Sequence, residues 1–541
     1  MTSAIPPLVY HRLRAPREHG QALFDPPRSA APALFEANRK RRLSSSQVIA
    51  DQPLASLSNV AQRELLERAL RYTGEYRDHE LDRLPTQATR LVLTGHQPDL
   101  YHPGVWLKNF VADSVARELS AIAINLIIDS DSLRSPTLAV PGGTADSPIV
   151  SRLAYDRPIA EIPHEERRIE DPSLWSSFAE RVGSQLREFV SSPLMEQIWP
   201  SAIAAAKETQ NVGRSFCRAR HLLEKQWGIR TIEIPLSQAV ETPTFARFAW
   251  SIVRDPERFQ AAHNASLAAY RLVHKVRGIR HPVPDLVREA EWFEVPFWVW
   301  HVSDPRRRKL FVSRQSERIV FSDRSANRSF LEIPDHPDTD RVADRLESSR
   351  AQGWKIRPRA LITTLYARLL LGDLFIHGIG GAKYDQVTDL IIRQFYQVEP
   401  PAYLTATATC RLPIAHPVVT GESLQSIERE LRDLRFVPER FLEHRSDLPA
   451  DAVRAIESKR AWLARNVDPK DRAVRYQAIK HAVEMLQPFV DDQRVKLLEH
   501  FAHQKQLASN HQLLSSREYS FALFPEKFLR GLLLELSLIA P

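Results

Sequence analysis

Three polar stretches hold the residue types from which a site could be built. In TGHQPDLYHPGVWLK, His96, Gln97, Asp99, Tyr101 and His102 crowd one loop opened by Thr94 and Gly95, with Lys108 a short way into the next element. INLIIDSD ends in two carboxylates, Asp129 and Asp131, and LFIHGIGGAKY gathers His377, Gly378, Gly380, Gly381, Lys383 and Tyr384. The chemistry follows from residue type. An imidazole such as His96 or His102 exchanges protons near neutral pH. Lys108 near a helix start can reach an anionic group. A glycine loop entering a helix, with Lys383 beside it, offers backbone N–H groups to phosphate or carboxylate. Asp129 and Asp131 can orient a substrate ammonium or hold magnesium through a nucleotide. A structural reading stands beside each of these: His96 and Gln97 as partners of buried loop amides, the aspartates as turn and cap chemistry.

The elements that must position these residues can be read from hydrophobic patterning. Leu91, Val92 and Leu93 form an apolar run broken at Thr94 and Gly95, as a buried parallel strand gives way to a loop. Pro103 suits the first position of a helix along which Trp106, Phe110, Val111, Val115 and Leu119 recur, and Ala121 to Ile128 is apolar enough for a doubly covered strand. This is a βαβ unit, and its right-handed crossover sends both polar loops to one sheet edge, where ligands bind. Leu374 to Ile376 predicts another buried strand, Asp385 to Gln394 a helix and AYLTATATC a further strand, so the glycine loop converges on the same edge.

Elsewhere, Val60, Leu65, Leu66 and Leu70 mark a helix over Asn59 to Arg71, and the Pro- and Gly-rich stretch from Ser135 to Pro163 could line a cleft. Three β-rich runs from Phe297 to Asp323, split at SDPRRR and RQSE, predict an antiparallel meander. After Gly421, Leu424, Ile427, Leu431 and Leu434 take the spacing of a coiled-coil seam, and a second helix over Arg472 to Gln506 is interrupted at Pro488. The expected fold is α/β: a Rossmann-like doubly wound parallel sheet with an inserted antiparallel β segment and a C-terminal helical coiled-coil arm. Its expected parts are a wrapping segment (1–85), a core (86–420, with the meander at about 295–325), the arm (421–507) and a return to the core (508–541).

At 541 residues the chain exceeds one core. Its 74 Lys+Arg against 66 Asp+Glu leave a mildly basic balance of +8 with both signs dispersed, so the short runs Arg39 to Arg42 and Arg306 to Lys309 are expected to be solvated surface, not a nucleic-acid footprint. Cys217 and Cys410 show neither disulfide nor zinc spacing, the first residues lack an apolar leader, and no apolar run could span a bilayer. A cytoplasmic protein without membrane or nucleic-acid partners is expected. GxSxG, HExxH, P-loop and kinase signatures are absent from the sequence.

Three matches in chain order carry a family resemblance. Thr94, Gly95 and Gln97 match a TGQQ loop ahead of a GP-containing helix start, with His96 at the first Gln. Arg357 and Pro358 match an RP pair. His377, Gly378, Gly380 and Tyr384 follow the pattern GGPGExxY, ahead of TATAT at Thr405 to Thr409. On these residues the chain resembles the BshC family, the cysteine-adding enzymes of bacillithiol synthesis, over most of its length at low identity.

The resemblance implies a Rossmann-like core with a helical arm and a ligase forming a carbon–nitrogen bond. The bond would join an amino acid carboxylate to the amine of an amino sugar such as glucosaminyl-malate. Under it His96 or His102 would act as base, Asp129 and Asp131 would orient the ammonium, and Lys383 with the glycine loop would hold the anionic group. Thr94, Gly95, Gln97, Lys108, Arg357, His377 and Tyr384 would complete the substrate site. The chain departs from the family at Gly381, which stands where the family has glutamate, and at Asp129 and Asp131, which alone represent its acidic EDHD-like strand end. HQPDLYHPGVWLKN is also similar to the HQPxYxPxxGxxxK opening of WbqC-like proteins of polysaccharide gene clusters, with one residue fewer before Gly104. Two other classes stand as alternatives: a non-catalytic metabolite-binding and assembly protein, and a nucleotidyltransferase on a similar core. Participation of ATP or ADP is left open by the motifs, and the apolar seam of the arm makes a homodimer an expected partner state.

Overall fold

The computed structural model describes residues 8–79, 89–276, 283–325, 329–335, 339–418, 421–466 and 468–539; positions 1–7 and 80–85 of the expected wrapping segment lie outside these. The chain divides into two compact units, one of Met1–Val140, Ser151–Leu412 and Arg517–Pro541, the other of Pro141–Val150 and Pro413–Ser516.

The first unit is built on a six-stranded sheet of β1 (Gln21–Asp25), β2 (Leu91–His96), β3 (Ile122–Ile127), β4 (Ile232–Pro235), β5 (Leu374–His377) and β6 (Tyr403–Thr409), in the order β1-β6-β5-β2-β3-β4. β6, β5, β2, β3 and β4 are parallel, whereas β1 pairs antiparallel with β6. The expected parallel sheet is therefore a mixed one of mostly parallel strands. The difference arises because the N-terminal segment, expected only to wrap the core, supplies an edge strand. From β2 the chain lays down β3 and β4 on one side, then returns to the other side of β2 to add β5 and β6. The order thus reverses between β2 and β5, which leaves a crevice at their carboxyl ends.

Both faces of the sheet are covered, as the apolar strand runs require. Leu91, Leu93, Ile124 and Leu126 share a core cluster with Leu57, Ala61 and Leu65 of the helix Leu54–Gly74. That helix is longer than expected, and Val60, assigned to its apolar face, is 49% exposed because Leu57, Ala61, Leu65 and Ala69 form the buried stripe instead. Helix α1 (Pro103–Glu118) buries Trp106 and Phe110 beside Trp227 and Phe521, and α2 (Ile379–Ile391) places Val387 and Ile391 in the Leu91–Leu93 cluster.

The expected meander is a larger antiparallel sheet. Its main path runs Ser329–Pro334, Arg318–Ser322, Asp304–Gln315, Trp292–His301, Trp354–Pro358. Most of SDPRRR, expected as a turn, lies in the strand Asp304–Gln315, since its arginines find partners along it: Arg306 and Arg308 on Asp304, Arg307 on Asp131. Nor is the run at Arg39 to Arg42 simply solvated. Arg42 is buried, binding Asp373 at 2.5 Å, and Arg39 and Arg41 donate to the carbonyls of Thr89 and Pro400.

The second unit holds the helices Gly421–Phe436, Ala450–Ala464, Arg472–Leu486 and Asp491–Leu514 around a small core of Leu434, Leu442, Ala452, Ala455, Ala482, Leu486 and Val490. Of the seam residues, Ile427 and Leu434 are buried and Leu424 and Leu431 half-buried. The turn Gln487–Phe489 breaks the helix at Pro488, whose ring and missing N–H cannot continue it. Among the described residues no helix is long and apolar enough to cross a membrane.

Candidate functional site

The crevice between β2 and β5 holds a cavity of about 730 Å³, lined by the two strand ends, the first turns of α1 and α2, and Thr407 of β6. On the β2 side Gly95 lies within the strand opposite Leu126, where a Cβ would come within 2.9 Å of the Leu126 carbonyl. His102 caps α1, its Nδ1 accepting the Gly104 N–H at 3.1 Å, so its remaining proton sits on Nε2. Burial keeps His102 neutral by pushing its pKa down to about 4. His96 lies edge-on to Tyr101 with Nδ1 3.2 Å from the Gln97 carbonyl, and burial together with nearby Lys108 pushes it down to about 3. Both imidazoles are thus neutral at pH 7, His102 with Nδ1 committed to the helix cap and His96 with Nδ1 at the Gln97 carbonyl.

Lys108 projects from α1 into the same space. It is 3% exposed, donates to the Gly95 carbonyl at 2.7 Å, and has no ion-pair partner among the described residues. Burial alone lowers its pKa to about 7. Its side chain lies against Gly378, where α2 begins.

On the β5 side the glycines do not serve tight turning. None of Gly378, Gly380 and Gly381 has a left-handed φ, and a Cβ on Gly380 would meet nothing. Space is the constraint at Gly381, where a Cβ would lie 2.7 Å from Nδ1 of His377. The imidazole therefore occupies the room that a side chain at 381 would take. His377 is held between the rings of Phe375 and Tyr403, and its Nε2 lies 2.6 Å from Asp385 Oδ2, in contact although the N–H is not aimed squarely at the oxygen. Asp385 also accepts from Arg368 at 2.7 Å and from the Thr364 hydroxyl at 2.7 Å. Burial works against its charge, but Arg368, His377 and Thr364 together outweigh that and hold the carboxyl well below its usual range. Lys383 stands exposed at the cavity rim.

Asp131 separates this cavity from a second. It accepts from Gln97 at 2.7 Å and from Arg307 at 2.8 Å, and Arg307 lies over the Trp298 ring. Beyond Gln97 and Asp131 lies a polar cavity of about 560 Å³, lined by Asp99, Arg134, Arg152, Tyr155, Glu161 and Arg307 among others. The stretch after β3 does line a cleft.

Of the residues singled out in the sequence, Gly95, His96, Gln97, His102, Lys108, Asp131, His377, Gly378, Gly380 and Lys383 meet in the first cavity. Four do not. Thr94 is fully buried and ties β2 to β5 by donating to the Ile376 carbonyl at 3.0 Å. Asp129 accepts from the Ser237 N–H and hydroxyl at 2.9 and 2.5 Å, away from the cavity; burial and then Glu165 raise its pKa to about 7. Arg357 is paired with Glu165 and Glu241, each at 2.9 Å, and Tyr384 packs beside Tyr270. These four lie outside the first cavity, and Arg357 lines a different one together with Glu241.

Sequence reasoning passed over Asp385, Arg307, Thr407 and Arg517. One signal was available for the first: Arg368 in YARLLLGDLF sits in an apolar run, and a buried arginine demands carboxylate partners, here Asp385 and Asp389 one turn apart on α2.

His221, Glu224 and Glu233 bring three metal-type ligands within 4.8 Å of one another. Arg220 bridges the two glutamates, and both His221 nitrogens are engaged, by the Tyr76 hydroxyl and the Thr231 carbonyl at 2.7 Å each. An arginine already holds the place a cation would take. Compared with known family models and with curated proteins, the chain matches none.

Proposed function

We propose that this protein is an enzyme joining two small substrates. Its reaction would resemble that of the cysteine-adding ligases, forming an amide between an amino acid carboxylate and the amine of an amino sugar such as glucosaminyl-malate. The observation that carries this reading is the pair of cavities that share Gln97 and Asp131 as a wall. Condensation of two substrates needs adjoining subsites, an anion-holding surface and a proton acceptor, and gains rate chiefly from holding the reactants together.

In this reading the N terminus of α2 and Lys383 hold the phosphate or carboxylate of one substrate. Asp131 is engaged by Arg307, so the carboxylates facing a substrate ammonium are Asp99 and Glu161 of the second cavity. We further take the reversing strand order as a Rossmann-like, doubly wound arrangement. The exposed Val495 and Leu498, on one face of the helix Asp491–Leu514, would form a coiled-coil face for a homodimer, to be tested by sedimentation at several concentrations.

The test is to incubate the protein with cysteine and glucosaminyl-malate, with and without ATP, and look for the amide by mass spectrometry. Product that depends on both substrates supports the ligase. Absence of product across a panel of amino acids and amino sugars sinks it. Pyrophosphate released from a nucleotide without amide would favour the transferase. A non-catalytic metabolite-binding role is favoured by Asp129 and Asp131 both being engaged internally, and predicts a ligand-dependent rise in melting temperature without turnover.

A further inference from the structure

We infer that His377 is a general base positioned by Asp385, and that it takes a proton from the amine of a substrate whose anionic group rests at the start of α2. The inference deepens the proposed ligase reading, on which it depends only for the identity of the nucleophile.

Three observations converge on it. The first is tautomeric. An ionised Asp385 at 2.6 Å from Nε2 is compatible with a neutral imidazole only if the proton is on that nitrogen, which leaves the lone pair on Nδ1. Arg368 shares that Oδ2 with the ring and Thr364 holds Oδ1, so the carboxylate is fixed in place beside the imidazole. The second is access. Nδ1 has no hydrogen-bond partner among the described residues and faces Gly381, the one position of the loop where any side chain would press on it, and both residues line the cavity. The third is elimination. His102 uses Nδ1 to cap α1, His96 is turned to the Gln97 carbonyl, and Asp131 is held by Gln97 and Arg307.

The step is a proton transfer. The N–H proton of a bound ammonium moves to Nδ1, its electron pair stays on the substrate nitrogen as the nucleophilic lone pair, and the positive charge of the resulting imidazolium is stabilised by the adjacent Asp385 carboxylate. The charged and titratable groups around the ring are Asp385 and Asp389 of α2, Arg368 from the preceding helix, Tyr403 of β6 and Lys108 of α1. Lys108 is the rival base, although its amine is directed at the Gly95 carbonyl.

The experiment is 15N NMR of histidine-labelled full-length protein, with His377→Asn to assign the signal and inorganic phosphate as the anionic probe. The expected spectrum shows His377 protonated on Nε2 and bare on Nδ1 at neutral pH. Phosphate should raise the pH at which Nδ1 takes up a proton, because an anion at the start of α2 favours the imidazolium. A proton on Nδ1 in the neutral ring, or no response to saturating phosphate, overturns the inference even if no turnover is ever found. If amide formation is observed, His377→Asn should lower kcat at least about 100-fold with little change in KM and abolish the acid limb of the pH profile. Asp385→Asn should act in the same direction, less strongly. Undiminished turnover in His377→Asn, or loss of the acid limb in Lys108→Met instead, overturns the dyad and leaves the ligase reading standing.

Discussion

The loop after β3 and the helix after β5 both carry carboxylates, and they differ in what those carboxylates touch. Asp129 is sealed beneath Ser237, and Asp131 is covered by Gln97 and Arg307. Asp385 is equally engaged, but one of its partners is the imidazole of His377, which lines the cavity. The acid-rich loop is therefore a wall, whereas the segment from His377 to Lys383 lines the cavity with its glycines, an imidazole and a lysine. Density of functional residue types in a sequence measures potential. The partner inventory of each group decides which atom is left to react.

The largest effect expected from this contrast is on stability. Asp385→Ala strips a buried arginine of one of its two carboxylates and should cost about 3–5 kcal/mol in urea unfolding. Asp131→Ala removes a partner from a pair whose carboxylate is 41% exposed and should cost about 1 kcal/mol or less. Equal losses at the two positions would erase the distinction between the strand ends.

Next comes pH. Asp129 has a folded pKa of about 7, raised from the ordinary carboxylate range. The folded state thus holds a proton between about pH 4 and 7 that the unfolded chain has released, so the stability Asp129 contributes falls as pH rises through that window, by roughly 4 kcal/mol at most. Lys108, lowered to about 7, acts in the opposite sense: its folded form has lost a proton that the unfolded chain keeps up to about pH 10, so stability rises with pH above 7. Asp129→Asn should flatten the first slope and Lys108→Met the second, each read from denaturation midpoints across pH. A slope unchanged in its variant would mean the group is not buried as described.

Much of this arrangement was legible before any coordinates. The run Leu91 to Leu93, the spacing from Trp106 to Val115 and the small β-branched strand at Thr405 to Thr409 specify parallel strands and a crossover helix, because burial on both faces leaves a local apolar signature. The convergence of two loops on one edge then follows from handedness alone. Illegible were the contacts between segments far apart in sequence: Arg307 from the antiparallel sheet on Asp131, β1 on β6, and Arg517 against Thr407. Each joins residues more than a hundred positions apart, and no periodicity records which distant side chain will neutralise a given charge. The basic run at Arg306 to Lys309 shows the cost of reading locally, for what resembles solvated surface is a row of ion pairs with Asp304, Asp131 and Glu294.

The finest discrimination, and with Gly380→Ala the smallest single effect, comes from two adjacent glycines in the first turn of α2. At Gly381 a methyl group would be forced to within 2.7 Å of a ring wedged between Phe375 and Tyr403, so Gly381→Ala should destabilise by about 1–3 kcal/mol and displace the His377 resonance. At Gly380 the same methyl meets nothing, and Gly380→Ala should gain about 0.5 kcal/mol from the lower backbone entropy of alanine in the first turn of α2. If loop geometry were what these glycines serve, both substitutions would be costly. If they make room for an imidazole, only the one facing His377 will be, and adding His377→Ala to Gly381→Ala should recover part of the loss, since the methyl group then has the space the ring occupied.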